Sequence, residues 1–367
     1  MKKSLIIKFL AILITCISAT GHPKQQSSIS YENRANLDSI QIKSQFVIVA
    51  FWNVENLYDP YDDTTRLDDE FTSLGAKHWN WGRFSTKLNQ VAKTLLSIGE
   101  WNAPAIVGLC EVENRYVLNK LIYETPLKPW KYRFLHHESP DRRGVDVAML
   151  YRPDKFKIAA SKTISIRFPF DTLAETREIL LARGILFNHD TLFVFINHWP
   201  SRRGGYLGSQ PRRNYVASIL RGLIDSIQIT QPKANILVMG DFNDEPENES
   251  IKIVLSAKTD SLPCYDSSMY NLMGIRNKKN REGTLKYRDQ WSTFDQFMIS
   301  GALLRGSSGI VANPGCVRII RSSFLLEEDN TYFGDKLNRT YTGPRYHGGF
   351  SDHLPIQLKI FHHEIAP

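Results

Sequence analysis

Mixed β-sheets packed together with helices outside them, an α/β (α+β) architecture, are what this sequence predicts, and three observations carry it. Near-continuous apolar, β-branched and aromatic runs, the first being Phe46-Val47-Ile48-Val49-Ala50-Phe51-Trp52, read as strands buried on both faces. Such runs outnumber the amphipathic helical stretches. Some follow one another through tight turns, as at Asn188-His189-Asp190, so hairpins rather than crossover helices join them, which argues against a Rossmann-type parallel sheet. The 367 residues are 42% hydrophobic and 23% charged, enough for a sizeable core and unlike a disordered or fibrous chain.

In chain order, residues 1–21 read as a basic start, an apolar run over 5–17 and then the small residues Ser18, Ala19 and Thr20, the order of a secretory signal. The apolar run falls short of the ~20 residues a spanning helix needs. Leu13-Ile14-Thr15-Cys16 resembles a bacterial lipobox, with Thr15 where Gly, Ala or Ser is usual. Lipidation of Cys16 and plain cleavage near Ala19 or Thr20 stand as alternatives. Export is expected either way: to the periplasm, to the outer membrane as a lipoprotein, or to the medium. Residues 22–44, rich in Ser and Gln, form a leader, and one domain occupies 45–363. After the Phe46 run, strands are predicted at 105–110, 145–151, 179–188, 191–199, 235–239, 294–299 and 356–361. Phe84, Leu88, Val91, Ala92, Leu95 and Leu96 recur at helical spacing up to Gly99, and Val216, Ile219, Leu220, Leu223, Ile224 and Ile227 do so after Pro211.

Forty-six Lys and Arg against 38 Asp and Glu give +8, which falls to +5 once Lys2, Lys3 and Lys8 leave with the signal. That mild excess suits a polyanionic partner without requiring one. Four cysteines, none in a C-x-x-C pair, exclude a disulfide scaffold and a zinc ribbon. Beyond Cys16 at most one disulfide forms, Cys264 with Cys316 being open, and Cys110 reads as a buried thiol.

The functional signal lies where polar residues end apolar strands. Asn53 and Glu55 follow the first run, Glu111 ends Gly108-Leu109-Cys110, and His198 follows Ile196-Asn197. Asp241 and Asn243 close Val238-Met239-Gly240, Asp295 sits between Phe294 and Phe297, and Asp352 and His353 precede the last strand. One carboxylate after a strand is usually a turn or a cap. Asp295 among aromatics is less easily explained, because a buried carboxylate needs a donor or a cation. Together, an Asn, several carboxylates and two histidines at strand ends are an inventory for holding a hard divalent cation through oxygen and activating water beside it. No thiolate belongs to that inventory, which disfavours zinc.

On Trp52-Asn53-Val54-Glu55-Asn56, Cys110-Glu111-Val112-Glu113, Arg143-Gly144-Val145-Asp146, Asn197-His198-Trp199, Gly240-Asp241-Phe242-Asn243, Phe294-Asp295-Gln296-Phe297 and Ser351-Asp352-His353-Leu354-Pro355, the chain resembles the endonuclease/exonuclease/phosphatase superfamily, as a bacterial secreted member with the DNase I-like fold. The resemblance implies a four-layer α/β/β/α sandwich with its site at one end. It implies a metal held by Asn53, Glu111 and Asp352, with Mg2+ expected and Mn2+ or Ca2+ as alternatives. By the same resemblance, Asp241 orients or deprotonates the attacking water and Asn243 positions the phosphate. His353 contacts the phosphate with Asp295 on its other ring nitrogen, and His198 protonates the leaving oxygen. Glu55 stands where other members carry Asp, and Asp146 at a recurrent position of bacterial relatives; each is a metal ligand or a support.

The resemblance fixes the chemistry, phosphoester hydrolysis by in-line attack of water, more narrowly than the substrate. Arg142, Arg143, Arg202, Arg203, Arg212 and Arg213 flank the motifs, and Arg143, Arg202 and Arg203 are the candidates for binding substrate phosphates. Nucleic acid is therefore the first expectation, with Tyr206 able to stack on a base. The alternative is a phospholipid (sphingomyelinase-like) or a sugar- or inositol-phosphate, for which Trp79-Asn80-Trp81 is the one aromatic candidate for a membrane-facing hairpin. A catalytically dead binding protein is disfavoured by the complete polar set. No protein partner is indicated, and a monomer is expected.

Overall fold

The computed structural model describes residues 45–100, 102–187, 189–277 and 282–362, so the expected export signal, Cys16, the expected leader and Asn188 lie outside the described residues. In chain order the larger elements are β1 (Phe46–Leu57), α1 (Trp81–Ile98), β2 (Ile106–Val112), α2 (Arg115–Tyr123), β3 (Arg133–His136), β4 (Asp146–Tyr151), β5 (Phe156–Ile164), β6 (Ile179–Leu186), β7 (Asp190–His198), α3 (Tyr206–Thr230) and β8 (Asn235–Asp241). The remainder holds β9 (Ala257–Lys258), β10 (Met269–Asn271), α4 (Leu272–Asn277), β11 (Leu285–Tyr287), β12 (Gln290–Ser292), β13 (Asp295–Ser300), α5 (Gly301–Arg305), β14 (Ile310–Val311), β15 (Val317–Ile319), β16 (Leu326–Glu328), β17 (Asp335–Leu337), β18 (Tyr341–Thr342), β19 (Arg345–Tyr346) and β20 (Ile356–His362).

Two seven-stranded sheets follow, one ordered β14-β20-β1-β2-β4-β3 with β15 also on β20, the other β5-β6-β7-β8-β13-β10-β9. Strand alternation divides the core into three layers. On β1, Val47, Val49 and Phe51 join the layer shared with β7, β8 and β13, while Ile48, Ala50, Trp52 and Val54 join one with α1 and α2. A third layer lies between the second sheet and α3, with Phe195, Ile236 and Val238 against Val216, Leu220 and Ile224. This is the expected α/β/β/α sandwich.

The long apolar runs all became strands close to their expected bounds. α1 is capped at Asn80, whose side chain accepts from Gly82 and Arg83 N–H, and it ends before Gly99. α3 starts at Tyr206, five residues before Pro211, so the proline lies inside the first turns instead of opening the helix. Of the longer elements that the sequence reading passed over, two are instructive. α2 is short, with Asn114 as its cap, and β5 is an edge strand whose mostly solvent-facing residues carry no apolar pattern. Cys110, Cys264 and Cys316 are all free thiols. Among the described residues no helix is long and apolar enough to cross a membrane.

Candidate active site

Topology gathers the polar strand ends. β1 and β2 run parallel with Asn53 beside Cys110, and β20 runs antiparallel to β1 with Ile356 opposite Phe51, so residues 352–353 reach the end that Asn53 and Glu111 occupy. In the second sheet His198 is opposite Asp241, and Asp241 opposite Asp295, across β7, β8 and β13. Both sheets therefore present their polar ends at one end of the sandwich. The pairing of β1 with β2 shifts register between Asn53 and Leu57, and that of β2 with β4 between Cys110 and Val112. Glu55, Asn56, Glu111 and Asn243 all sit at positive φ, a conformation uncommon outside glycine and frequent at functional sites. The irregularities re-aim side chains off the pleat.

At the centre Asn53 Nδ2 donates to Asp241 Oδ2 at 3.1 Å. Asp241 Oδ1 accepts the Asn243 backbone N–H at 3.0 Å, which closes a short turn and fixes both residues. Asp241 Oδ2 is 3.8 Å from His353 Nε2 and 3.7 Å from His198 Nε2. His353 Nδ1 meets Asp295 Oδ2 at 2.7 Å, and Trp52 Nε1 donates to the His353 carbonyl, so Asp295 fixes the ring while Trp52 fixes the backbone that carries it. Glu111 Oε2 accepts the Asn56 N–H at 3.0 Å, leaving Oε1 facing Arg143 at 3.8 Å and His198 at 4.0 Å.

The charges follow from burial and neighbours. Burial would strip His353 of its proton, but Asp295 and then Asp241 outweigh it and hold the imidazolium well above the ordinary histidine range. His198 is the reverse: burial first, then Arg177, Arg143 and His353, keep it well below that range and neutral. It therefore offers a hydrogen bond rather than a full positive charge. Burial pushes the Asp241 carboxyl up to about 6, with Asp295 adding to the push and His353 opposing it. A carboxylate that ionises near neutrality is placed to accept a proton from water.

A profile of the Endonuclease/Exonuclease/phosphatase family matches residues 48–362. The chain belongs to this family. Its members are metal-dependent phosphoric ester hydrolases, and so is this enzyme. Solved structures agree on the fold. A family protein from Bacteroides thetaiotaomicron is 13% identical with a TM-score of 0.55, covering 88% of this chain and 100% of that one. A mannosyl-6-phosphatase of the same organism is 14% identical with a TM-score of 0.52, covering 86% and 99%. D. rerio TDP2 complexed with single strand DNA product is 16% identical with a TM-score of 0.51, covering 86% and 99%. No curated protein sequence matches the chain.

The residues present fit the divalent cation that the family uses. Glu55 and Asp352 are close enough for Asp352, after burial, to raise the Glu55 carboxyl to about 6. Lys87, fully buried on α1, is pushed down to about 8 by burial although Glu55, Asp352 and Glu111 all favour its charge. Three carboxylates thus act on one buried ammonium, and Glu111 Oε1 faces Arg143 only at 3.8 Å. That is a hard-cation set.

Other residues lie elsewhere or do other work. Glu55 binds Arg339 through Oε1 and the Thr340 N–H through Oε2 at 2.8 Å, while Arg339 Nη2 also reaches Asp352 at 2.9 Å. Asp146 turns to His136 and the Ser139 N–H instead of to Glu111. Asn243 Nδ2 donates to the Trp199 carbonyl at 3.1 Å. Of the six arginines, Arg142 pairs with Glu175, Arg202 and Arg213 with Asp244, and Arg212 with Asp171. Arg143 remains beside Glu111, and Arg203 is exposed. Trp79 is fully buried with its Nε1 on the Tyr58 carbonyl, and Asn80 caps α1, so Trp79-Asn80-Trp81 is not a protruding hairpin. Cys110 lies within ligand reach of His198 and Asp241, so a thiol does approach the site. Sequence reasoning missed Lys87 and Arg339. Lys87 had a signal, a charge on the apolar stripe of Phe84, Leu88 and Val91, but Arg339 lies in a loop without a pattern.

Proposed function

We propose that this enzyme hydrolyses phosphodiester bonds by in-line attack of water, as an exported nuclease using Mg2+. The observation that carries the reading is the linked set Asn53–Asp241–His353–Asp295, an ordered carboxylate beside an imidazolium whose far nitrogen is anchored. Glu111, with Asn53 and Asp352, would hold the cation, Glu55 standing beside them. When bound, that cation neutralises charge on the scissile phosphate and favours hydroxide over water. Asp241 accepts the proton of the attacking water, and the Asn53 amide and Asn243 N–H keep its oxygens oriented. His353 donates from Nε2 to a phosphate oxygen, its charge sustained by Asp295, where negative charge grows in the transition state. As the water oxygen bonds to phosphorus the opposite P–O bond breaks, and the leaving oxygen takes up the proton that Asp241 gained, by way of solvent, while neutral His198 donates a hydrogen bond on the other side of Asp241. Arg143 faces the same opening and suits a second phosphate oxygen.

A second reading, hydrolysis of a sugar phosphate, is favoured by the pairing of five of the six arginines with acids, which leaves a small basic surface for a polymer. Turnover of plasmid, single-stranded DNA, RNA, a hexose phosphate and a chromogenic phosphodiester by the mature protein, with and without EDTA, separates the two. Loss of all turnover in EDTA, and in Glu111→Ala with an unchanged circular dichroism spectrum, is expected. Full activity of that variant would end the proposal. Export is checked by N-terminal sequencing, which should find residues 1–15 or more removed.

A further inference from the structure

Away from the catalytic centre, at the edge of the first sheet, three donors converge. His136 is opposite Ala148 across β3 and β4, so Asp146, two residues before Ala148, is its diagonal neighbour on the same face. Glu138 lies two residues beyond His136. His136 and Asp146 are 3% and 1% exposed. His136 Nε2 is 3.2 Å from Asp146 Oδ2, and His136 Nδ1 is 4.0 Å from Glu138 Oε1. Neither ring nitrogen completes a hydrogen bond, and neither does Asp146 Oδ2. Buried polar atoms are nearly always paired, so His136 Nε2 and Asp146 Oδ2, which face each other without completing a hydrogen bond, call for a shared partner, while His136 Nδ1 faces the Glu138 side. The remaining Asp146 oxygen is occupied by the Ser139 N–H at 2.9 Å.

We propose that His136, Glu138 and Asp146 form a second, structural site for a divalent transition cation of the Zn2+ class. One ligand atom from each of the three residues falls within 4.8 Å of the others. Ligand bonds of about 2.0–2.2 Å in a tetrahedral shell put neighbouring ligands roughly 3.3–3.5 Å apart, close to the His136–Asp146 spacing. An imidazole with two carboxylates selects such a cation over Mg2+, which prefers oxygen alone. Glu138 is solvent-exposed, which gives the cation a way in and leaves room for a water as the fourth ligand.

The site would fasten the loop at 137–145. Asp146 holds Ser139, the Ser139 hydroxyl accepts from the Asp141 N–H at 3.4 Å, and Asp141 accepts from the Arg143 N–H at 3.0 Å. Tyr58 closes the series on the Arg143 carbonyl at 2.7 Å. A cation between His136 and Asp146 therefore stiffens the support of the arginine beside Glu111.

The test is calorimetric titration of metal-stripped protein with Zn2+ in a Glu111→Gln background, which cripples the catalytic cation site, with X-ray absorption on the product. About one equivalent should bind, with nitrogen and oxygen neighbours near 2.0 Å and no sulfur, and Zn2+ should raise the melting temperature. His136→Asn in that background should abolish the binding and the rise. Should that variant fold poorly, Glu138→Gln, at an exposed position, should weaken binding at least tenfold. No Zn2+ bound in the background protein overturns the site. So does binding that neither variant alters, or a sulfur neighbour, which would put the metal at Cys110.

Discussion

In the proposed mechanism Asp295 acts on the phosphate only through His353, and its effect should be visible as a shift in pH. With Asp241 raised to about 6, kcat/KM on a chromogenic phosphodiester should climb through that region as the carboxylate forms. It should fall at higher pH as His353 loses its proton. Asp295 is the largest influence raising the His353 pKa, so Asp295→Asn lowers it and moves the falling limb to lower pH. An unmoved falling limb would mean that His353 does not act as the imidazolium. Arg339 has a separate role, since its guanidinium binds Glu55 and Asp352, where the proposed cation would sit. Arg339→Met should free both carboxylates and tighten Mg2+ binding severalfold by calorimetry; unchanged affinity would show that the two cations do not compete. The carboxylates and histidines were legible because each interrupts an apolar strand. Arg339 and the approach of Cys110 were not, since each depends on pairings distant in sequence.

Elements place these side chains through close strand contact. On β8, a Cβ added to Gly240 would lie 2.5 Å from the Asn197 carbonyl oxygen and 2.7 Å from its Cβ, so β7 and β8 approach within a distance that only glycine permits. Gly240→Ala must push the two strands apart, and overpacking of that kind costs about 1–3 kcal/mol. Urea unfolding should show the loss as a lower midpoint at constant slope, with turnover reduced because His198 and Asp241 sit one residue beyond. A midpoint equal to that of the parent would show that the sheet yields freely there. The same close packing explains which elements were readable. Strands buried on both faces, β1, β2, β7 and β8, need continuous apolar runs and announce themselves. β5 at an edge and the two-stranded hairpins β11–β12, β16–β17 and β18–β19 bury little, so their sequences look like loops.

Across the whole molecule, net charge misleads about reach, because most of the arginines near the site are already neutralised. Asp244 holds Arg213 at 2.8 Å where both are fully buried, and Arg202 at 3.0 Å. Arg202 is further tied to the Asn243 carbonyl and to Asn248, and it lies over the Tyr206 and Phe294 rings. It serves as a brace behind Asn243, and the Tyr206 ring carries the Arg202 and Arg213 guanidinium groups against it. Exposed Arg203 and Arg143, whose longer contacts to Glu111 and Asp141 leave it half-exposed, are left for a strand. Each phosphate neutralised contributes about −0.9 to the slope of log K against log salt for duplex DNA and about −0.7 for single strands. Two contacts give roughly −1.8 and −1.4, close to a tenfold loss of affinity over a fourfold rise in salt. The measurement is titration of inactive Glu111→Ala protein with labelled single-stranded and duplex DNA at several salt concentrations. Arg203→Ala should flatten the slope by about one unit and leave stability unchanged. Arg202→Ala should instead lower the unfolding midpoint, since it strips a partner from buried Asp244, and should slow turnover even of a small phosphodiester through Asn243. A slope near zero for the Glu111→Ala protein with all its arginines in place would reject the polymer and leave the sugar phosphate as substrate.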